Sequence, residues 1–264
     1  MDNFLTLAHN VLGLPVLASK HGADVDKLIV YVHCLMGALF LGWILYFIYV
    51  LFRFNHKANP KADYEGIKGH ASSYIELVVI LVEAVLLIGF AVPLWARAVD
   101  EDQFPKATDH PVNIRVVAQQ FAWNVFYPGP DGEFGRQDMS LIASDNPWGF
   151  DKTDAKGKDD FTTLNDIHVV VNQPVIITLT SKDVIHSFKV IAMRVTQDAI
   201  PGVRIPLHFT PTKPGVYQIN CAQLCGNGHS SMSGGRITVE SQQDYDKWVV
   251  TKSKAAAGGA ASFE

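Results

Sequence analysis

Two long apolar runs near the start of the chain limit its architecture more than any other feature. Residues 28–52 contain no Asp, Glu, Lys or Arg, and residues 74–95 are apolar apart from two glutamates. Because an α-helix rises ~1.5 Å per residue, roughly 20 such residues cross a ~30 Å hydrocarbon layer. Buried helices of a soluble core would show a polar face at helical period, and neither run has a continuous one. We therefore predict a two-helix transmembrane hairpin over 28–95.

The connection between the runs is basic, and this charge predicts the orientation of the hairpin. Its four cations are Arg53, Lys57, Lys61 and Lys68. Basic loops favour the cytoplasmic side of a membrane. The N-terminal segment, 1–27, and everything after the second span are therefore expected on the periplasmic or outer side of a bacterial-type inner membrane.

Two acids, Glu76 and Glu83, lie inside the second apolar run. An ionised carboxylate at membrane depth costs several kcal/mol, so neither side chain is expected to face lipid. Seven residues apart, they share one helical face. One hypothesis is a proton entrance or relay. The alternatives are that Glu76 reaches interfacial water and that Glu83 is a protonated carboxyl bonded to a neighbouring subunit. Together the two acids predict a partner membrane protein.

Beyond a linker at 96–112, residues 113–241 form short runs rich in β-branched residues, bounded by Pro, Gly, Asn and Asp. Many short strands without long helices between them predict an all-β sandwich. A stretch rich in Gly, Pro and Asp at 128–160 is expected as a surface excursion between strands. Residues 242–264 predict a short helix and a flexible tail.

Composition excludes two broad classes of protein. With 48% hydrophobic residues the chain is not disordered by default, and a net charge of −4 leaves no cationic stripe for nucleic acid. Three cysteines cannot form a closed disulfide framework. One of them, Cys34, lies in the first apolar run, where a small buried apolar role is expected.

Residue types that bind metals are concentrated in the β region. Cys221, Cys225, His229 and Met232 share one short loop, and His186 precedes them on another predicted strand. Thiolate, imidazole and thioether suit copper, whereas hard ions prefer oxygen. Two bridging thiolates can hold two copper ions. A disulfide or a Cys2His2 zinc site stays open as an alternative, although zinc would leave the methionine unused. Covalent haem attachment would need C-x-x-C-H, which neither cysteine of the loop provides.

At these residues the chain resembles a known family. It is similar to subunit II of the haem-copper cytochrome c oxidases, a membrane-anchored cupredoxin with a binuclear copper centre, CuA. The resemblance rests on the two spans, residues 183–188 and 198–202, and the loop C-x-x-x-C-G-x-x-H-x-x-M. It implies a two-helix transmembrane hairpin followed by an all-β cupredoxin-like sandwich domain.

The resemblance also implies roles for individual residues. Two bridging thiolates, one imidazole for each copper, a thioether and a main-chain carbonyl would form the centre. In that order they are Cys221 and Cys225, His186 and His229, Met232, and Gln223. Glu76 matches the acid at the mouth of a proton-uptake path, whereas Glu83 matches no role in the family.

Two positions depart from the family pattern. The family has Glu at the position of Gln223, where the side chain reaches a magnesium site beside the catalytic subunit. An amide is a poorer ligand for a hard cation, which puts that magnesium in doubt. The family also has the stretch Q-W-Y-W, whose first Trp faces the electron donor. Here Phe121 takes that place and Trp123 ends the stretch, so electrons are expected to enter near these two residues through altered contacts.

The implied function is electron transfer in respiration. A cytochrome c or other c-type haem donor would reduce CuA, and a haem in subunit I would receive the electron for oxygen reduction to water coupled to proton translocation. The expected partners are subunit I, further membrane subunits and membrane lipid. The alternatives are the CuA subunit of a nitric oxide reductase and a membrane-tethered copper carrier. A quinol oxidase subunit is disfavoured because it would leave the ligand set without purpose.

Overall fold

A computed structural model describes residues 3–61, 64–66 and 68–257 of the chain. The chain divides into two compact units. The helical unit comprises residues up to Leu14 together with Asp24–Arg97, and the β domain comprises Pro15–Ala23 together with the chain from Ala98. The stretch expected as one N-terminal segment, 1–27, is thus shared between them.

The helical unit contains the two expected spans. The described helices are α1 (Asn3–Val11), α2 (Gly22–Arg53), α3 (Ala71–Ala84), a π-helical segment (Val85–Ala91) and α4 (Val92–Val99). The last three form one continuous helical stretch. This stretch and α2 are both long and apolar enough to cross a membrane, and their most apolar windows are not buried within the chain. The predicted pair of transmembrane helices is confirmed.

Strands and one long helix make up the β domain. Among the described residues the strands are β1 (Val112–Gln119), β2 (Ala122–Tyr127), β3 (Phe161–Leu164), β4 (Asp166–Val170), β5 (Val175–Ser181), β6 (His186–Val190), β7 (Val195–Ala199), β8 (Ile205–Phe209), β9 (Gly215–Gln218), β10 (Asn220–Cys221) and β11 (Arg236–Glu240). Helix α5 (Gln242–Ala257) follows the last strand. Of the expected tail, residues 258–264 lie outside the described residues.

The strands form three sheets, and the predicted all-β sandwich is confirmed. The five-stranded sheet has the order β3-β2-β1-β5-β8, and the three-stranded sheets have the orders β4-β11-β9 and β10-β6-β7. Burial alternates along β1 and β5, so one face of each strand lies in the core. Residues 128–160 connect β2 to β3 and contain two short 3-10 turns, Met139–Leu141 and Ala155–Gly157.

A short N-terminal strap, residues 15–23, belongs to the β domain. Ala18 and Ser19 are buried, and the Ser19 hydroxyl donates a 2.6 Å hydrogen bond to the Met193 carbonyl. The Arg194 guanidinium donates to the carbonyl of Pro15 at 2.7 Å. Because Met193 and Arg194 lie in the turn between β6 and β7, the strap supports the strand that begins at His186.

Candidate metal centre

Two strands, one loop and a 3-10 turn of the β domain carry the predicted ligands. His186 is the first residue of β6, and Cys221 is the last residue of β10, which pairs with β6. Cys225 follows in the loop, and a 3-10 turn (His229–Gly234) holds the remaining two side chains, His229 and Met232. Pairing of β10 with β6 therefore fixes the position of one histidine relative to one cysteine, and the loop returns the other ligands to the same point.

The two cysteines of the loop face each other as free thiols. Their sulfurs are 3.9 Å apart, which is well beyond the ~2.05 Å of a disulfide bond. The Cys221 sulfur also lies 3.1 Å from the carbonyl oxygen of Gln223. Ligand atoms of His186, Cys221 and Cys225 all lie within 4.8 Å of one another. The disulfide alternative is therefore not the arrangement in this structure.

Met232 is the most deeply buried sulfur-containing residue of the cluster. Its sulfur lies 3.1 Å from Nδ1 of His186 and 3.5 Å from Sγ of Cys225. Nδ1 of His229 lies 3.4 Å from the same Cys225 sulfur. His186 and Met232 are completely buried. The structure thus brings together all six donor groups that the sequence predicts.

The chemistry of this donor set fits copper. Two thiols, two imidazoles and a thioether converge without a carboxylate among the predicted ligands, which suits a soft or borderline ion. The thioether lies inside the cluster, where a four-ligand zinc site of two Cys and two His would not use it. Burial, together with the neighbouring Cys221 thiol, raises the pKa of the Cys225 thiol to about 11. A metal ion bound here has to displace that proton.

Asp183 orients the His186 ring. Its Oδ1 lies 2.9 Å from Nε2 of His186, so the carboxylate accepts the Nε2 proton and Nδ1 keeps its lone pair toward the sulfurs. Burial alone would raise the pKa of Asp183. Hydrogen bonds from the Gln120 and Val184 N–H groups and from the His186 ring nevertheless hold this pKa below its usual value.

Gln120 and Phe121 clamp the cysteine loop from the turn between β1 and β2. The Gln120 side-chain amide donates a 2.7 Å hydrogen bond to the carbonyl of Cys225. The ring of Phe121 packs so closely on the loop that a Cβ at Gly228 would overlap it, and a Cβ at Gly226 would lie 3.0 Å from it. Gly226 also has a φ of 135°, which L side chains rarely adopt. The Gln120–Phe121 peptide bond is cis.

Trp123 lies beneath the site and is completely buried. Its indole N–H donates a 3.0 Å hydrogen bond to the Met232 carbonyl, and its ring meets those of His186 and Phe188 edge to face. Trp123 therefore offers no surface to a docked electron donor, and its expected place in electron entry, like that of Phe121, stays a prediction. Its burial follows from its position on β2, where Trp123 points into the core. Phe121 is partly exposed and can make such a contact.

The other predicted residues lie on exposed surfaces. Glu76 and Glu83 are exposed on α3, and the Gln223 side chain is exposed on the loop. Cys34, expected to be buried, is exposed on α2. No pattern in the sequence indicates the supporting role of Gln120, because Gln120 lies far from Cys225 along the chain. A signal for Asp183 was present, since it precedes His186 by only three residues.

Comparisons with known proteins identify the family to which the chain belongs. The family described as cytochrome c oxidase subunit II, periplasmic domain, matches residues 113–241. The alternative cytochrome c oxidase subunit 2 of Bradyrhizobium diazoefficiens is 30% identical over 227 residues, which cover 85% of this chain and 79% of that protein. The probable cytochrome c oxidase subunit 2 of Rickettsia bellii is 32% identical over 222 residues, 84% of this chain and 76% of that protein.

A solved structure is also similar. It is the periplasmic domain of subunit II of cytochrome oxidase from Bradyrhizobium japonicum, 26% identical, with a TM-score of 0.39 over 54% of this chain and 94% of that one. The two curated relatives are matched over most of their own length as well as over most of this chain. The chain therefore belongs to the cytochrome c oxidase subunit II family, whose members are subunits of a haem-copper oxidoreductase complex.

Proposed function

We propose that the β domain holds a binuclear copper centre, CuA, through which electrons enter a membrane-bound cytochrome c oxidase. The observation that carries the proposal is the convergence of the Cys221 and Cys225 sulfurs, 3.9 Å apart, with two imidazoles and a thioether around them. When bound, the centre supplies one-electron chemistry between a c-type haem donor and a haem of the catalytic subunit.

Each ligand has a separate task in this proposal. The Cys221 and Cys225 thiolates would hold both ions, and His186 and His229 would bind one ion each. Met232 and the Gln223 carbonyl would supply the remaining ligands. An exposed amide at Gln223 gives a magnesium ion no carboxylate ligand, so we propose no magnesium site on this side chain.

Rigid support of the ligands is what the rest of the domain contributes. The Asp183 carboxylate fixes the His186 ring, the Gln120 amide holds the Cys225 backbone, and the Trp123 indole holds the Met232 backbone. A scaffold that keeps its ligands in place in both redox states keeps the rearrangement on electron transfer small. Phe121 covers the loop at its surface and is the proposed contact of the donor.

The helical unit is proposed to determine on which side of the membrane each part of the chain lies. Its basic connection lies on the cytoplasmic side, and the β domain and both ends of the chain lie on the periplasmic or outer side. Glu76 is proposed to take up protons for the catalytic subunit, and further membrane subunits cover the hairpin. The matched relatives are named as oxidase subunits, which favours oxygen reduction over a nitric oxide reductase or a copper carrier.

Metal analysis and electron paramagnetic resonance of the purified full-length chain in detergent test the copper proposal. After loading with copper, we expect two ions per chain and an unpaired electron shared by both nuclei. One ion with a single-nucleus hyperfine pattern would contradict the binuclear centre. Loss of the metal during a cycle of reduction and reoxidation would favour the copper-carrier alternative.

A further inference from the structure

Strand β3 is the edge of the five-stranded sheet, and its outer side is open. Its single neighbour is β2, with Val125 opposite Thr163. The Asn165 N–H donates to the Trp123 carbonyl at 2.8 Å, and antiparallel pairs alternate between bonded and non-bonded. The N–H and C=O groups of Thr163 therefore form hydrogen bonds with β2, while those of Thr162 and Leu164 point away from β2. Within the described part of the chain these four groups have no further backbone partner.

A cleft of about 820 Å³ runs along this open edge and continues over the sheet face at Gln119, Asn124 and Phe126. All four residues of β3 line it, with Trp148 of the 128–160 connection on one side and the last turn of α5 on the other. The Leu164 side chain is 49% exposed there. The cleft thus combines polar side chains and a few apolar ones, such as Trp148 and Leu164, with a row of unused backbone donors and acceptors. Such a row can receive an added strand.

The charges in the cleft favour an acidic occupant. Its two acids already have basic partners: Asp145 pairs with Lys152 at 3.4 Å, and Asp166 pairs with His168 at 3.3 Å. Its two cations, Lys182 and Lys252, form no ion pair among the described residues, although Lys252 lies near enough to Asp166 to help lower the pKa of that carboxyl. The Lys182 ammonium lies 5.0 Å from the centre of the Trp148 ring, facing the cleft. Charge complementarity therefore selects a segment that carries Asp or Glu.

We propose that this cleft receives an extended acidic peptide segment of another oxidase subunit, which adds to β3 as a sixth strand. Thr162 and Leu164 form the main-chain hydrogen bonds, Trp148 and Leu164 contact an apolar side chain, and Lys182 and Lys252 pair with acidic ones. The proposal rests on membership of a multi-subunit complex. It does not rest on the copper centre, which lies on other strands of the same domain.

Hydrogen exchange measured on the purified oxidase complex and on the full-length chain alone, in the same detergent, tests the added strand. In the complex the amides of Thr162 and Leu164 should exchange about tenfold or more slowly than in the free chain. The Thr163 amide already bonds β2 and should change little. Equal exchange of Thr162 and Leu164 in both samples would overturn the proposal.

Two variants separate the contribution of the β3 backbone to binding of the segment from the contribution of charge. Leu164→Pro removes an outward N–H without removing a bond to β2, since proline is tolerated on a sheet edge. Lys182→Glu reverses a charge in the cleft, and Lys213→Glu, an exposed lysine elsewhere on the domain, is its control. In the complex, both cleft variants should abolish the protection of the Thr162 amide against hydrogen exchange, whereas the control variant should retain that protection. Protection that survives Lys182→Glu would show that the occupant is not acidic and would contradict the proposal.

The copper spectrum of each variant distinguishes this inference from the proposed function. An unchanged spectrum with lost protection supports the added strand, because the domain is folded and only the cleft has changed. If Leu164→Pro fails to fold, Lys182→Glu decides the question alone. Protection present in an oxidase whose β domain binds no copper pair would refute the copper proposal and leave the added strand standing.

Discussion

The helical unit and the β domain differ in how far the chain itself satisfies their polar groups. In the helical unit Glu76 and Glu83 are exposed among apolar side chains, and the spans bury little against each other. In the β domain the polar His186 is completely buried, with its two ring nitrogens facing Asp183 and Met232. The described hairpin therefore does not bury its own polar groups, whereas the candidate copper site is assembled by this chain alone.

Replacing one thiol in each unit gives the largest contrast. Cys225→Ser removes a proposed bridging sulfur, so the shared-electron signal of the copper-loaded chain should disappear completely. Cys34→Ser changes an exposed thiol of α2 and should leave both signal and copper content unchanged. Persistence of the binuclear signal in Cys225→Ser would remove that residue from the site.

Tryptophan substitutions compare burial in the two units. Trp123→Ala removes a completely buried ring and the hydrogen bond to Met232, which should lower the free energy of unfolding of the β domain by about 3–5 kcal/mol. Trp43→Ala alters a ring that is 65% exposed on α2, and unfolding of the β domain should not change. Denaturant titration followed through the copper absorption measures both. Equal effects would contradict the assignment of Trp123 to the support of the site.

The hydrogen bond from the His186 ring to Asp183 can be tested separately from the ligands. Asp183→Asn keeps the shape of the side chain but weakens its hold on His186, and such supporting contacts change metal affinity by roughly 10–100-fold. Asp198→Asn on β7, an exposed acid outside the site, is the matched control. Competition with a copper chelator gives the affinities. An Asp183→Asn affinity equal to that of the control would make the carboxylate dispensable.

Sequence patterns predict the two units unequally well, and the reason is physical. Apolar runs long enough for lipid and a clustered Cys-His-Met loop are local signals, so the spans and the convergent ligands follow from the chain alone. The support of the site comes from distant residues, such as Gln120 on the Cys225 carbonyl and Trp123 on the Met232 carbonyl. A hydrogen bond from a side chain to a distant backbone carbonyl produces no recognisable spacing of residues in the sequence. The strap at 15–23 is missed for the same reason, since it binds largely through main-chain groups.

Glu76→Gln tests whether the hairpin has a function of its own. If Glu76 takes up protons, oxygen reduction by the purified complex should slow severalfold because an amide cannot carry a proton. The copper spectrum should be unchanged, since the substitution lies in the other unit. Oxygen consumption, copper spectrum and subunit composition are compared with those of Glu83→Gln, which matches no family role. An unchanged rate of oxygen consumption would favour the alternative in which the Glu76 side chain reaches interfacial water.

The smallest expected effect is a pH dependence confined to the β domain. His168 packs in parallel on Trp248 of α5, with ring centres 4.1 Å apart, and lies between Asp166 and Glu240. Burial opposes protonation, but hydrogen bonds to the two carboxylates outweigh it and raise the pKa of His168 above its usual 6.5. A raised pKa means that the protonated form stabilises the fold at low pH. That contribution should be lost as the pH rises through the raised pKa.

His168→Gln should remove this dependence. Above pH 6.5, the free energy of unfolding of the parent β domain should fall by about 1 kcal/mol or less, since the site is partly solvated. The variant should show a flat profile over the same range, and His208→Gln, a histidine on β8, should keep the parent slope. Unfolding followed through Trp248 fluorescence reports on the contact with α5. If the free energy of unfolding of the parent instead rises with pH, the carboxylates do not hold His168 protonated.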